Sequence, residues 1–182
     1  SVNPSGSGRV VDENGNPVTT RTFASGTSVL LTAKPDGGYE FQSWSGDASG
    51  TSPTVSVEMD GDKTITAYFR RLADPSGTLL INGQEVYASS TLYLATASLR
   101  FIFIPQPETA GYITGVTVSV DTDRVTMTKV GDIWEGELTL PREGKYDVTC
   151  SLSWSGGTVE VCSVTVSYDD LAVSGENVAP GK

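Results

Sequence analysis

No segment of the chain sustains a helical period over two turns, and apolar residues alternate with polar ones along most of its length. Val29-Leu31-Ala33, Val55-Val57-Met59 and Ile65-Ala67-Phe69 each line one face at period two, with Thr, Ser and Glu among the residues between. Turn signals separate these runs: Glu13-Asn14-Gly15-Asn16-Pro17, Pro35-Asp36-Gly37-Gly38, Ser49-Gly50-Thr51 and Asp60-Gly61-Asp62. Strands of this kind bury their apolar faces only by stacking sheets, so the pattern predicts an all-β fold.

The pattern breaks once in mid-chain. After Arg70-Arg71-Leu72 the stretch Ala73-Asp74-Pro75-Ser76-Gly77 reads as a linker, which predicts a module over 1–72, a linker over 73–77 and a second module over 78–169. In the second half, Leu99-Arg100-Phe101-Ile102-Phe103-Ile104 is apolar on both faces near its end, as in the middle of a sandwich. Val116-Val118-Val120, Val125-Met127 and Leu138-Leu140 alternate more plainly. From residue 170 to 182 the alternation is lost, and that tail reads as a linker to a further module. Ser1 runs directly into strand-like sequence, so the chain reads as a piece of something longer.

Composition narrows the chemistry. The 182 residues carry 22 acidic and 12 basic side chains, a formal charge of −10, and 37% are hydrophobic. A Lys/Arg-poor surface argues against nucleic acid or anionic membranes as partners. No apolar run approaches the ~18 residues needed to span a bilayer, and none reads as a signal peptide. Histidine is absent and there are two cysteines, so a Cys/His zinc site and Ser-His-Asp or Cys-His catalysis cannot be assembled within the chain. Paired carboxylates of the glycosidase kind remain open in principle, but nothing sets two of the acids apart. The expectation is a protein that is not an enzyme.

Two family resemblances add to this reading. Gly26-Thr27-Ser28-Val29-Leu30-Leu31-Thr32-Ala33-Lys34-Pro35, then Gly38-Tyr39-Glu40-Phe41 and Trp44-Ser45-Gly46-Asp47, then Met59-Asp60-Gly61-Asp62-Lys63-Thr64-Ile65-Thr66-Ala67-Tyr68-Phe69, resemble the divergent internalin-type B-repeat of bacterial surface proteins. The likeness covers residues 7–70 and implies a small β-grasp-like module on secreted or wall-attached proteins. It brings no catalytic residues. A shorter likeness runs from Gly8 to Val18, which is similar to the opening hairpin of carboxypeptidase-regulatory-like sandwiches; Asn14-Gly15 explains it as a tight turn.

The second half resembles bacterial immunoglobulin-like or PKD-like domains through Glu143-Gly144-Lys145-Tyr146-Asp147-Val148. The resemblance implies a Tyr146 hydroxyl that caps backbone at a corner while its ring packs in the core. Val148 stands where antibody domains carry a cysteine. The fold implied for the whole chain is a small β-grasp-like repeat module followed by an immunoglobulin-like β-sandwich.

Cys150 and Cys162 flank the hairpin turn Ser155-Gly156-Gly157-Thr158. A three-residue loop sets them directly opposite, ready for a cross-strand disulfide. A Gly156-Gly157 turn with a bulge near Val161-Cys162 leaves them diagonal. The oxidising exterior that the resemblances imply favours the disulfide, worth roughly 3 kcal/mol at most by chain entropy. The other reading is two buried thiols acting as small hydrophobes.

Three groups of residues are candidate sites. Asp121-Thr122-Asp123, Asp60-Gly61-Asp62, Asp169-Asp170 and Asp12-Glu13-Asn14-Gly15-Asn16 have the oxygens that Ca²⁺ takes, but none matches an EF-hand loop and each also reads as a turn. No metal or other cofactor is therefore assigned. Trp44, Trp134 and Trp154, with Tyr87, Tyr93 and Tyr112, are candidates for sugar stacking. Trp134, Glu135 and Tyr112 are the proposed ligand contacts there, against the reading that Trp134 or Trp154 fills the sandwich core. In GYEFQSWSGD, from Gly38 to Asp47, Phe41 and Trp44 are predicted to be largely buried, with Ser45-Gly46-Asp47 the turn leaving them.

The function these readings imply is a non-catalytic pair of extracellular modules on a bacterial cell surface, monomeric, acting as spacer and adhesion domains. Partners would be a host or cell-surface protein or a glycan, without nucleic acid or membrane embedding. The alternative is a carbohydrate- or protein-binding accessory module of a secreted enzyme.

Overall fold

The computed structural model describes residues 1–169, so the tail expected over 170–182 lies outside the described residues. The chain is all-β, a small repeat module of two three-stranded sheets followed by an immunoglobulin-like sandwich; among the described residues the one helical turn is a 3-10 turn at Ala110–Tyr112. Two compact units divide between Asp74 and Pro75.

The first unit contains β1 (Val2–Asn3), β2 (Gly8–Val11), β3 (Ser28–Pro35), β4 (Tyr39–Gly46), β5 (Thr54–Glu58) and β6 (Ile65–Arg71). They form two three-stranded sheets, β1-β6-β4 and β2-β3-β5. The alternation explains the packing: Val29, Leu31 and Ala33 of β3, Val57 of β5, and Ala67 and Phe69 of β6 are buried together.

GYEFQSWSGD needs one correction to that period. Strand β4 slips register against β6 between Phe41 and Ser43, so Gln42 is an extra residue. The bulge returns Trp44 to the face of Tyr39 and Phe41, and the strand continues through Gly46. Trp44 is buried, its ring lies 5.2 Å from that of Phe41, and its indole N–H donates to the Ser52 carbonyl at 2.8 Å. Phe41 is only half-buried, less than the sequence predicts, although its ring also meets Phe69 edge-on at 5.9 Å. Nor is Ser45-Gly46-Asp47 simply a turn. Gly46 and Ser45 still pair with Ile65 and Thr66, while the Asp47 N–H donates to the Thr64 carbonyl and its carboxylate accepts from the Thr64 N–H at 2.6 Å.

The second unit contains β7 (Gly77–Ile81), β8 (Gln84–Glu85), β9 (Thr91–Leu94), β10 (Ser98–Pro105), β11 (Ile113–Val120), β12 (Asp123–Thr126), β13 (Thr128–Val130), β14 (Ile133–Thr139), β15 (Gly144–Trp154) and β16 (Gly157–Tyr168). Two five-stranded sheets result, β13-β14-β10-β7-β8 and β12-β11-β15-β16-β9. The inner faces supply Leu79, Leu99, Phe101 and Phe103 from one sheet and Val116, Val118, Val148, Leu152, Val164 and Val166 from the other. Asn82 and Gly83 both take positive φ, the geometry of a two-residue hairpin turn between β7 and β8. The Tyr146 hydroxyl donates to the Arg142 carbonyl at 2.7 Å, and its ring belongs to the core. The segment entering β7 is tied down too, Ser76 bonding to Gln106 and Thr109.

Gly46 gives a direct test of the first unit. It sits at φ +87°, and a Cβ there would lie 2.1 Å from the Thr64 carbonyl oxygen. Gly46→Ala should cost about 2 kcal/mol or more, roughly 10 °C in the melting of that unit by calorimetry. An unchanged melt would show that β4 need not approach the Thr64 loop so closely.

Candidate functional site

Trp134, Glu135 and Tyr112 do not form the expected sugar platform. Consecutive strand residues point to opposite faces, so Trp134 and Glu135 separate. Trp134 is 8% exposed within the core, with the Lys129 ammonium 5.9 Å from its ring centre. Glu135 faces outward and pairs with Arg100 at 2.9 Å. Tyr112 ends the 3-10 turn and packs against Trp154, ring centres 5.6 Å apart. The aromatics that do stand in solvent are Tyr87, 64% exposed, and Tyr93, 76% exposed on β9. On the outer face of the Trp134 sheet, Leu80 lies opposite Ile102, while Ile104 and Val130 are exposed.

The disulfide expected between Cys150 and Cys162 is not formed; both thiols are free and buried. Strand β15 runs to Trp154 and β16 starts at Gly157, which makes Ser155-Gly156 the turn. Burial then changes phase along β16: Val159 and Val161 are half-buried, whereas Cys162, Val164 and Val166 are buried. Both sulfurs thus serve as small apolar fillers of the core, Cys150 opposite Val118 on the next strand. Burial, and secondarily Cys162, pushes the Cys150 thiol up to about 12; burial also raises Cys162, followed by the charge of Glu160.

The aspartate turns have structural partners. Asp12 is buried and its carboxylate accepts from the Asn14 and Asn16 N–H groups at 3.0 and 2.9 Å, from the Asn16 amide and from Arg21. Gly15 takes the positive φ of that turn. Asp60 pairs with Lys63, and Asp121 accepts from the Asp147 N–H at 2.8 Å. Among the described residues no group of three or more His, Cys, Asp or Glu converges as a metal site would require.

A cleft of about 670 Å³ opens within the first unit, between the segment joining β2 to β3 and the turn joining β5 to β6. Val18, Phe23, Met59 and Ile65 form its apolar floor and are half-buried. Thr19, Thr20, Thr22, Ser25 and Thr64 bring hydroxyls to its walls. Arg21 and Lys63 also line it, but each faces a carboxylate of its own, Asp12 and Asp60. Asp62 lines it as well. Strand periodicity gives no weight to residues 18–25. The signal that marks them is a run of hydroxyls around one Arg and one Phe in a connection too long for a tight turn.

Residues 1–73 match the family model of the divergent InlB B-repeat domain, which makes the first unit similar to that family. No curated protein sequence matches the chain. Among solved structures, the fibronectin(III)-like modules of CbhA from Clostridium thermocellum are 11% identical over 52% of this chain and 99% of theirs, with a TM-score of 0.38. The Bacteroides ovatus SGBP-B, from a mixed-linkage glucan utilization locus and solved with a mixed-linkage heptasaccharide, is 14% identical over 88% of this chain and 37% of its own, TM-score 0.25. Domains 4 and 5 of the S-layer protein SbsC are 14% identical over 88% of this chain and 97% of theirs, TM-score 0.27. At such TM-scores the architecture rests on this chain's own strands and registers. Among the described residues no helix is long and apolar enough to cross a membrane.

Two outcomes follow from the buried groups. A thiol reagent should react slowly with the native chain and titrate two thiols per chain after denaturation without reductant; fewer would mean that the cysteines oxidise. Asp12 titrates below the ordinary 3.8: burial pushes it up, but the bonds from Asn16, Arg21 and Asn14 outweigh that. A depressed carboxyl stabilises the fold above its unfolded pKa and loses that contribution as pH falls through the folded value. Melting temperatures between pH 7 and about pH 2 should therefore fall less steeply in Asp12→Asn, which starts from a lower value at neutral pH. Parallel acid limbs would assign the acid sensitivity elsewhere.

Proposed function

We propose that the chain is a non-catalytic extracellular module pair of a bacterial cell-surface protein, acting as spacer and adhesion domains. The match of residues 1–73 to the divergent InlB B-repeat model carries this reading. A module over 1–72, a joint at 73–77 and a sandwich over 78–169 would be consecutive domains of such a spacer. The reading needs no cofactor and no histidine, and histidine is absent from the chain. Cross-strand ladders within each sheet and two apolar cores support this reading, because they hold the fold without any bound ligand.

The second reading, an accessory module that binds a protein or carbohydrate, is favoured on the protein side by one feature. Leu80, Ile102, Ile104 and Val130 turn aliphatic surface outward on a sheet face that has its polar alternates in Glu135 and Arg100.

Location is the decisive measurement. On intact cells of the organism that encodes the chain, externally added protease should remove the epitopes of an antibody raised against residues 1–169. Epitopes released only after lysis would refute the surface reading.

A further inference from the structure

From the cleft of the first unit we infer a binding site for a neutral sugar ring or short neutral oligosaccharide. The inference stands on the chemistry of the cleft and does not depend on where the protein resides. At about 670 Å³ the cleft falls within the range of small-ligand sites, roughly 300–1,000 Å³. Its floor is apolar, with Phe23, Met59 and Ile65 left half-buried where a closed core would cover them. Its walls are hydroxylic, and the side-chain hydroxyls of Thr19, Thr20, Thr22 and Thr64 make no hydrogen bond among the described residues. An apolar floor with unspent hydroxyl donors and acceptors above it suits a ligand with one C–H face and many hydroxyls.

Charge selects neutral over anionic ligands. The guanidinium of Arg21 is bound to Asp12, and the ammonium of Lys63 to Asp60. Asp62 adds a carboxylate, a good acceptor for sugar hydroxyls and a source of repulsion for an acidic sugar.

The connection itself argues for a site. Residues 12–27 join β2 to β3, longer than the ~12–15 residues beyond which connections in compact domains are uncommon and often functional. The connection is held at both ends. The Asp12 turn fixes its start, and Gly26 and Thr27 bond to Met59. Arg21, 5.7 Å from the ring centre of Phe23, braces its middle. A segment so held presents its hydroxyls in fixed positions, which lowers the ordering cost of binding.

The test uses the full chain with cellotriose, triacetylchitotriose and trigalacturonate as probes, read by saturation-transfer NMR and by chemical-shift titration. At least one neutral trisaccharide should bind with Kd on the order of 1 mM and shift the Phe23, Met59 and Ile65 signals, with trigalacturonate at least several-fold weaker. The double variant Thr20→Val/Thr22→Val, exposed and nearly isosteric, should weaken binding about tenfold at an unchanged melting temperature. Tyr93→Ala should leave binding as it is. No binding by either neutral probe, equal binding of trigalacturonate, loss of binding in Tyr93→Ala, or full binding in the double variant would each overturn the assignment.

Discussion

A strand buries alternate residues, so an apolar side chain displaced by one position faces water unless the backbone absorbs an extra residue. In the first unit that absorption occurs at Gln42. Without it Trp44 would lie across the sheet from Phe41, and the core of so small a unit would lose its one indole. With it, Phe41, Trp44 and Phe69 gather on one side and the Trp44 N–H reaches Ser52, which pins the turn between β4 and β5. The second unit uses the same device. Strand β11 slips against β15 between Ile113 and Gly115, and burial along β16 changes phase before Cys162. In β4 and β11 an irregular residue lets an otherwise strict alternation serve one continuous core.

Polar groups complete what the small cores leave open. Asp47 clasps Thr64 from both its N–H and its carboxylate, and Asp12 gathers the turn over residues 12–16. Each carboxylate replaces water by backbone N–H donors, which satisfies groups a tight turn would otherwise strand. Asp12 and Asp60 are acids that invite a metal-binding reading from sequence. Their partners in the fold are amides, Arg21 and Lys63.

Much of the architecture is legible in the sequence because period-two burial and turn chemistry are local. Val29-Leu31-Ala33, Leu99-Phe101-Phe103 and the Asn82-Gly83 hairpin follow from neighbours a few residues away, and Tyr146 from a corner motif. What fails to be legible is set by pairing. Whether Cys150 and Cys162 fill the core or cross-link goes with where burial along β16 shifts phase, which composition does not encode. Trp134 and Glu135 look like one site because they adjoin in the chain; strand geometry puts them on opposite faces. The cleft is the clearest omission, since Phe23 comes from one connection and Met59, Asp62 and Thr64 from another.

The cleft and the core share one cause. Two three-stranded sheets offer too few strands to close both ends of a sandwich, and β1 and β2 are only two and four residues long. A unit this small gains little by extending its strands, because each added residue also exposes surface. The connection over residues 12–27 covers the open end incompletely, leaving Val18, Met59 and Ile65 half-buried beneath hydroxyls. A core left open in this way is a weakness for stability, yet it is where such a module has apolar floor and fixed polar walls together. Apolar side chains at that end are therefore constrained twice: they pack against the core cluster from one side and shape the cleft from the other.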